Sequence, residues 1–356
     1  MQIQNKIHPF INLEINKRTP DMRKTQLTRS LCLSSLFLVF VIFSCKKEEL
    51  RSKELLVFIP GEYGSVNNSI TASLTHTPLL VWGNTSFDIS VAATREVPTD
   101  VEVYVKPDTS VSKYNEENKT SYLLLPSTAY KLTGDAKRTI SSGKLVSDPL
   151  KIEITAAASL TDIKGYVLPI TIEKVSSKDK GVQISTNQST VYLAIPYQFT
   201  NVDTAQTGLT GTLMSRTGWS VTVSNSSSGS SNQASNLLDG NSATVWRSSS
   251  SSTAAKTITL NMGTEQTVSG FRISPNYTNV NENATEMTIS TSSDNITYTI
   301  QGVWKGTGPA TGSSATAPDY KKVNFIAPVQ ARYFRFDITA RVSGNIVGAA
   351  EINAIQ

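Results

Sequence analysis

The sequence predicts an all-β chain built as two antiparallel sandwiches in tandem, and three observations carry that reading. From about Leu55 onward apolar and polar residues alternate in short runs: Val101, Val103 and Val105 in VEVYVK, Ile152 and Ile154 in KIEIT, Val191, Leu193 and Ile195 in TVYLAIP. This is the period of a half-buried strand. No window of ten or more residues carries a helical period, which argues against a helix-covered parallel sheet. Thr, Ser, Val and Ile are abundant, and Pro and Gly punctuate the runs, as in a many-stranded sandwich. Two cores fit in the roughly 310 residues that follow an N-terminal leader.

The leader is residues 1–44. Arg23, Lys24 and Arg29 precede LCLSSLFLVFVIFS, Leu31 to Ser44, an uncharged and mostly apolar run. It is shorter than the ~20 residues a membrane span needs and suits the apolar region of a secretory signal. The signal ends at Ile42-Phe43-Ser44-Cys45, which resembles a bacterial lipobox. That resemblance implies cleavage before Cys45 and a lipid on its thiol; the alternative is an uncleaved anchor helix with an incidental cysteine. Residues 1–21 add a charged stretch that export does not need, so Met22 is read as the true start. Residues 45–54 form a lipidated tether. Its KKEE, Lys46 to Glu49, resembles the lysine-plus-acidic signal of surface-exported Bacteroidetes lipoproteins, although a plain solvated tether has the same composition. The implied location is the outer membrane, exposed at the cell surface.

Setting the leader apart changes the charge argument. The whole chain is +5, with 33 Lys and Arg against 28 Asp and Glu. Six of those bases and two of the acids lie in residues 1–44, leaving 27 against 26, near +1. Such a balance gives no support to a nucleic-acid partner. Cys32 lies in the signal and Cys45 at its end, so no disulfide is expected and stability must come from cores or a bound metal.

Residues 55–200 are read as the first sandwich. LLPSTAY (Leu124 to Tyr130), TISSG (Thr139 to Gly143) and GYVLPITIE (Gly165 to Glu173) resemble the immunoglobulin-like N-terminal domain that precedes glycosidase or glycan-binding modules in Bacteroidetes lipoproteins. Pro169 within a strand pattern predicts an edge or a bulge, and Gly143 a turn. The expected role is a spacer; a ligand role would need more exposed aromatics than Trp82 and Tyr104. Residues 201–208, within the polar stretch FTNVDTAQTG, are read as the linker. Its Asp203-Thr204-Ala205 matches a short O-glycosylation acceptor pattern, making Thr204 a modification candidate.

Residues 209–356 are read as the second sandwich. Trp219-Ser220-Val221, NLLDGNSATVWR (Asn236 to Arg247), ITLNMG (Ile258 to Gly263), VSGFRISP (Val268 to Pro275), STSSDNITY (Ser290 to Tyr298), RYFRFDIT and GAAEI follow one another in the order and spacing of the discoidin, or coagulation factor 5/8 type C, domain. Within that group they resemble family 32 carbohydrate-binding modules. The fold so implied is a discoidin-type jelly-roll sandwich behind an Ig-like one.

The stretch NLLDGNSATVWR supplies a carboxylate, a glycine turn and a hydroxyl within six residues, a mixture that suits hard cations such as Ca²⁺. The resemblance implies a structural calcium held by the side chains of Asp239, Thr244 and Glu351 with backbone oxygens of Asn236, Asn241 and Ala350. The alternative is an ordinary Asp-Gly turn and a solvated Glu351. Trp246 is expected to pack in the core beneath this loop, with sugar stacking as the alternative, and Arg247 to point the opposite way. In galactose-binding relatives the position of Arg247 is often a histidine and the position of Asn276, after Pro275, an arginine; Asn281 keeps the form of a family asparagine. The implied carbohydrate site is therefore Arg247, Asn276 and Asn281 with Tyr277 as a stacking ring, and galactose specificity is not expected. Trp304 and Tyr320 are further exposed-aromatic candidates.

No catalytic residue is predicted. Beyond the leader the only histidine is His76, read as a loop residue, and no GxSxG, HExxH, P-loop or cysteine cluster is present. The expected function is non-catalytic glycan capture beside an outer-membrane importer or hydrolase. The alternative is an adhesin that binds protein or lipid through the same loops.

Overall fold

The computed structural model describes residues 54–356 apart from 66, 206, 207 and 252, so the predicted leader, the lipidated Cys45 and most of the tether lie outside the described residues. The first sandwich holds fourteen short strands: β1 (Leu55–Phe58), β2 (Ser69–Thr71), β3 (Leu74–His76), β4 (Val81–Gly83), β5 (Ser86–Ile89), β6 (Ala92–Ala93), β7 (Val101–Pro107), β8 (Leu123–Leu124), β9 (Tyr130–Thr133), β10 (Lys137–Ile140), β11 (Leu150–Ile154), β12 (Tyr166–Ser177), β13 (Val182–Ile184) and β14 (Thr190–Ile195). The larger sheet runs β10-β7-β12-β14-β2 and the smaller β5-β11-β9. The alternation read from the sequence sets what they bury: Val101, Val103 and Val105 of β7 meet Leu150, Ile152 and Ile154 of β11 in one core.

Pro169 departs from expectation. It is buried within β12, which is paired on both sides, and the bulge comes later, between Ile172 and Lys174. A proline is tolerated here because β7 ends opposite Ile170, at Pro107, while β8 reaches no further than Leu124, opposite Val167. The missing N–H therefore falls where the neighbouring strand changes. Gly143 does make a turn, with φ +74°. Among the described residues the one α-helix, Ser112–Asn118, lies on the outer face of the large sheet, where Tyr114 packs on Tyr122 and Tyr192. His76 is not in a loop: it is the last residue of β3, is 7% exposed, and packs its ring against Tyr197.

The second sandwich comprises β15 (Ser220–Val223), β16 (Trp246–Arg247), β17 (Thr257–Pro275), β18 (Ala284–Ser292), β19 (Thr299–Lys305), β20 (Lys321–Arg341) and β21 (Gly348–Ile355). Two long strands build it. The first part of β17 pairs with β15 and with Tyr333–Asp337 of β20, and after a break between Asn261 and Gln266 its second part pairs with the start of β20 and with β21. Breaking the ladder in mid-strand lets one strand serve both layers. Between them Phe271 meets Phe334 and Phe336 edge-on at 5.0 Å each, a preferred aromatic geometry. Trp246 and Trp304 are at most 1% exposed, so Trp304 is not an exposed aromatic; its indole N–H donates to the Lys322 carbonyl at 2.8 Å.

Residues 201 and 202 are not part of a polar linker. Asn201 is 3% and Val202 1% exposed, and Val202 belongs to the second core. On the N-terminal side, Phe199 bridges His76; on the C-terminal side, Val202 bridges Phe325 and the Asp203 N–H donates to the Asn324 carbonyl at 2.9 Å. Residues 199–203 thus pair with strands of both sandwiches.

Candidate functional site

The stretch NLLDGNSATVWR runs from a short 3₁₀ turn (Ala234–Leu237), through the Asp239-Gly240 corner, into β16. Gly240 has φ +84°, a conformation that costs a side-chain-bearing residue energy. The corner is stitched locally: the Asp239 carboxylate accepts the Asn241 N–H at 2.8 Å and the Thr244 hydroxyl at 2.6 Å. β16 then pairs with the last strand, Trp246 opposite Ala349 and Arg247 opposite Gly348. Pairing over two residues fixes opposite faces. Trp246 points into the core, its indole N–H donating to the Asn225 carbonyl at 3.2 Å, while Arg247 points away, its side chain 27% exposed.

The residues expected to hold calcium are brought together, with one addition that the sequence did not announce. Glu351 turns its nearly buried carboxylate, 4% exposed, onto the loop, where Oε1 accepts the N–H groups of Gly240 at 2.7 Å and Asn241 at 3.0 Å. Its Oε2 accepts the guanidinium of Arg216. Burial pushes the Glu351 carboxyl above its ordinary range. Burial acts on Asp239 in the same sense, but hydrogen bonds from Thr244, Glu351 and the Asn241 N–H, with the charge of Arg216, bring it below its ordinary value. The Asn241 carbonyl accepts the Thr244 hydroxyl at 2.7 Å. The Asn236 side chain donates to the carbonyls of Ser231 and Val245, and Ala350 falls at the register shift between β17 and β21. The Asp239 and Glu351 carboxylates and the Thr244 hydroxyl meet at one loop, but each already has a protein partner, and the Arg216 guanidinium holds Glu351. As built, the set does not fit an added ion unless Arg216 leaves.

The expected carbohydrate residues divide. Arg247 forms a two-pronged pair with Glu282, its Nε donating to Oε2 at 2.8 Å and its Nη2 to Oε1. That hydrogen-bonded carboxylate raises the Arg247 pKa further above its ordinary value. Asn276 is fully buried: its Nδ2 donates to Glu282 Oε2 at 3.0 Å, its Oδ1 accepts the N–H groups of Thr278 and Asn279, and its own N–H donates to Asn283 Oδ1. It shapes the loop and has no surface to offer a ligand. Tyr277 turns aside, its hydroxyl accepting the Asp319 N–H at 2.7 Å. Asn281 is exposed and its carbonyl accepts the Ser343 N–H at 2.9 Å, tying together the two loops of an open cleft of about 400 Å³. The cleft is lined by Thr278, Asn279, Asn281, Glu282, Ser343 and Asn345, with Val280 at its rim, 51% exposed. Tyr320 is half-buried under the Arg272 guanidinium, 4.0 Å from its ring.

Sequence reasoning missed Glu282, Asn283, Arg216 and the 343–345 loop. One signal was available: Gly348 lies opposite Arg247, and a Cβ there would stand 2.6 Å from Asn276 Nδ2 and 3.2 Å from Glu282 Oε2, so the glycine of GAAEI makes room for the polar network. Thr204 is exposed, in the turn after Val202.

With this geometry established, comparison with known proteins assigns the class. Residues 220–352 match the model of the F5/8 type C domain, so the C-terminal part of the chain is a domain of that kind. Residues 51–179 match the model of an N-terminal domain family. No curated protein is significantly similar in sequence. A two-domain protein of unknown function from Bacteroides fragilis superposes with a TM-score of 0.55 over 94% of this chain and 100% of that one, at 16% identity, a likeness of fold. The CBM32-5 module from Clostridium perfringens, solved with GalNAc-β-1,3-galactose, covers 41% of this chain and is itself covered completely, at 18% identity and a TM-score of 0.35. The family 32 CBM of Clostridium perfringens NanJ, solved with galactose, gives 21% identity, the same coverages and a TM-score of 0.34.

Proposed function

We propose that this protein binds glycans without acting on them, using the cleft between residues 278–282 and 343–346 of its F5/8 type C domain. The observation that supports this most is the lining: the amides of Asn279, Asn281 and Asn345 and the hydroxyls of Thr278 and Ser343 gather in one open cleft. Sugar hydroxyls are both donors and acceptors, and an amide side chain answers both. The Arg247–Glu282 pair stands behind the cleft as a fixed wall. The whole chain is read as a lipoprotein, anchored through Cys45 at the cell surface and capturing glycan for a partner importer or hydrolase. Thr204 is its proposed O-glycosylation site. A single open cleft binds weakly, and many tethered copies supply the avidity.

The second reading, adhesion to a protein or lipid, is favoured by one feature: the apolar members of the cleft are Val280 and Ile346, with no aromatic ring among its lining residues. A glycan array probed with residues 54–356, followed by competition with the free oligosaccharide, separates the two. The expected result is a saccharide hit that free sugar displaces, weakened at least ~10-fold (about 1.4 kcal/mol) in Asn281→Ala or Asn345→Ala with melting unchanged. A folded protein that binds no glycan on the array would overturn the reading in favour of adhesion. Loss of membrane fractionation in Cys45→Ser tests the anchor, and a mass shift absent from Thr204→Ala tests the modification.

A further inference from the structure

Three segments distant in sequence meet at the Asp239–Thr244 loop: the turn that contains Arg216, the loop itself, and Glu351 of the last strand. The join that the family resemblance gives to a calcium ion is made here by protein groups. Glu351 Oε2 accepts Arg216 Nη1, and its Oε1 takes two backbone N–H groups. Both Asp239 oxygens are engaged, by the Asn241 N–H and the Thr244 hydroxyl. The Arg216 side chain is 22% exposed, and its Nη2 lies 3.4 Å from where a Cβ on Gly240 would stand. Its backbone is held as well: the Arg216 carbonyl accepts the Trp219 N–H at 3.0 Å, and two residues earlier the Met214 N–H donates to Ala354 of the last strand at 3.0 Å. This guanidinium is therefore delivered to the acids from a fixed turn.

We propose that Arg216 is the resident cation of this loop and takes the place of a divalent ion, so that this F5/8 type C domain folds and holds its cleft without calcium. A calcium ion needs six to eight oxygens at about 2.3–2.6 Å. To supply them, the protein would have to release Glu351 from Arg216 and two amides and leave a guanidinium beside the ion. An arginine keeps its charge at every working pH, which suits it to a permanent join.

The test is thermal unfolding of the full chain in excess CaCl₂ and in excess EDTA, with calorimetric calcium titration. The wild-type melting temperature is expected to be the same in both, with no binding heat. Arg216→Gln is expected to melt lower by about 6 °C or more, because it strands a nearly buried carboxylate. With its acids freed it should gain a melting temperature that calcium raises. Arg216→Lys, which keeps the charge but not the guanidinium, should fall between the two. A wild-type protein that loses stability on chelation would overturn the proposal, as would an Arg216→Gln protein that melts like wild type. If Arg216→Gln does not fold, the wild-type calcium titration alone decides.

Discussion

Glu282 faces Arg247 through two hydrogen bonds while only 11% of its side chain is exposed, and Asn276 shares its second oxygen. A guanidinium half-withdrawn from water in this way depends on its partner. Glu282→Gln should destabilise the protein by about 1.5–3 kcal/mol, the usual value of a charged hydrogen bond, as read from urea unfolding, and should loosen Arg247 toward the cleft. His76 gives a separate signal. Burial lowers its pKa below the ordinary value of 6.5, so the folded chain holds it neutral while the unfolded chain protonates it. As pH falls through 6.5 the unfolded state binds more protons, and stability is lost. Melting temperature should therefore decline from pH 7 to pH 5, with a shallower decline in His76→Gln.

Trp246 and Trp82 show how an element decides the worth of a residue. Both lie in strands of two or three residues, but β16 is clamped against the last strand under a core, whereas the β3–β4 hairpin leaves Trp82 50% exposed. Trp246→Ala should cost about 3–5 kcal/mol and Trp82→Ala no more than about 0.5 kcal/mol, measured by the same unfolding experiment. The strands themselves were legible, because a side chain that alternates in and out leaves a period of two in VEVYVK or KIEIT. The Asp239-Gly240 corner and the inward Trp246 were legible for the same local reason. What the sequence does not carry is the strand order. Arg247 finds Glu282, 35 residues away, only because β16 lies beside β21 and β21 beside β17, whose end leads into the 276–283 loop. Asn276 reads as a polar loop residue, yet it is fully buried because its own loop folds over it. Pro169 reads as an edge residue because the handover from β7 to β8 leaves no local mark.

The molecule as a whole is governed by residues 198–203. Asn201 donates its N–H to the Gln301 carbonyl at 2.5 Å and its Nδ2 to the Ala327 carbonyl at 3.0 Å, and its Oδ1 accepts the Ala327 N–H at 2.9 Å. Just before it, the Thr200 N–H donates to His76 and the His76 N–H to Gln198, at 2.9 and 2.8 Å. Two sandwiches that share a paired segment lose it together, so calorimetry should show one unfolding transition. Asn201→Ala, which removes the two side-chain hydrogen bonds to Ala327 and a third from Nδ2 to Gln301 Oε1 at 3.3 Å, at roughly 1 kcal/mol each, should lower it and split it in two.

The composition of FTNVDTAQTG invites a cut for dissecting the protein, since polarity there falls where a boundary would be drawn. The shared segment makes that a poor place to cut. A C-terminal fragment starting at residue 205 would lack Val202, a member of its own core, and would expose the 324–327 edge of β20 and the Gln301 carbonyl that Asn201 covers. Unpaired edges of this kind recruit other chains. A fragment starting at 197 keeps them covered, so the smallest autonomous form of the binding domain begins inside what reads as the end of its neighbour.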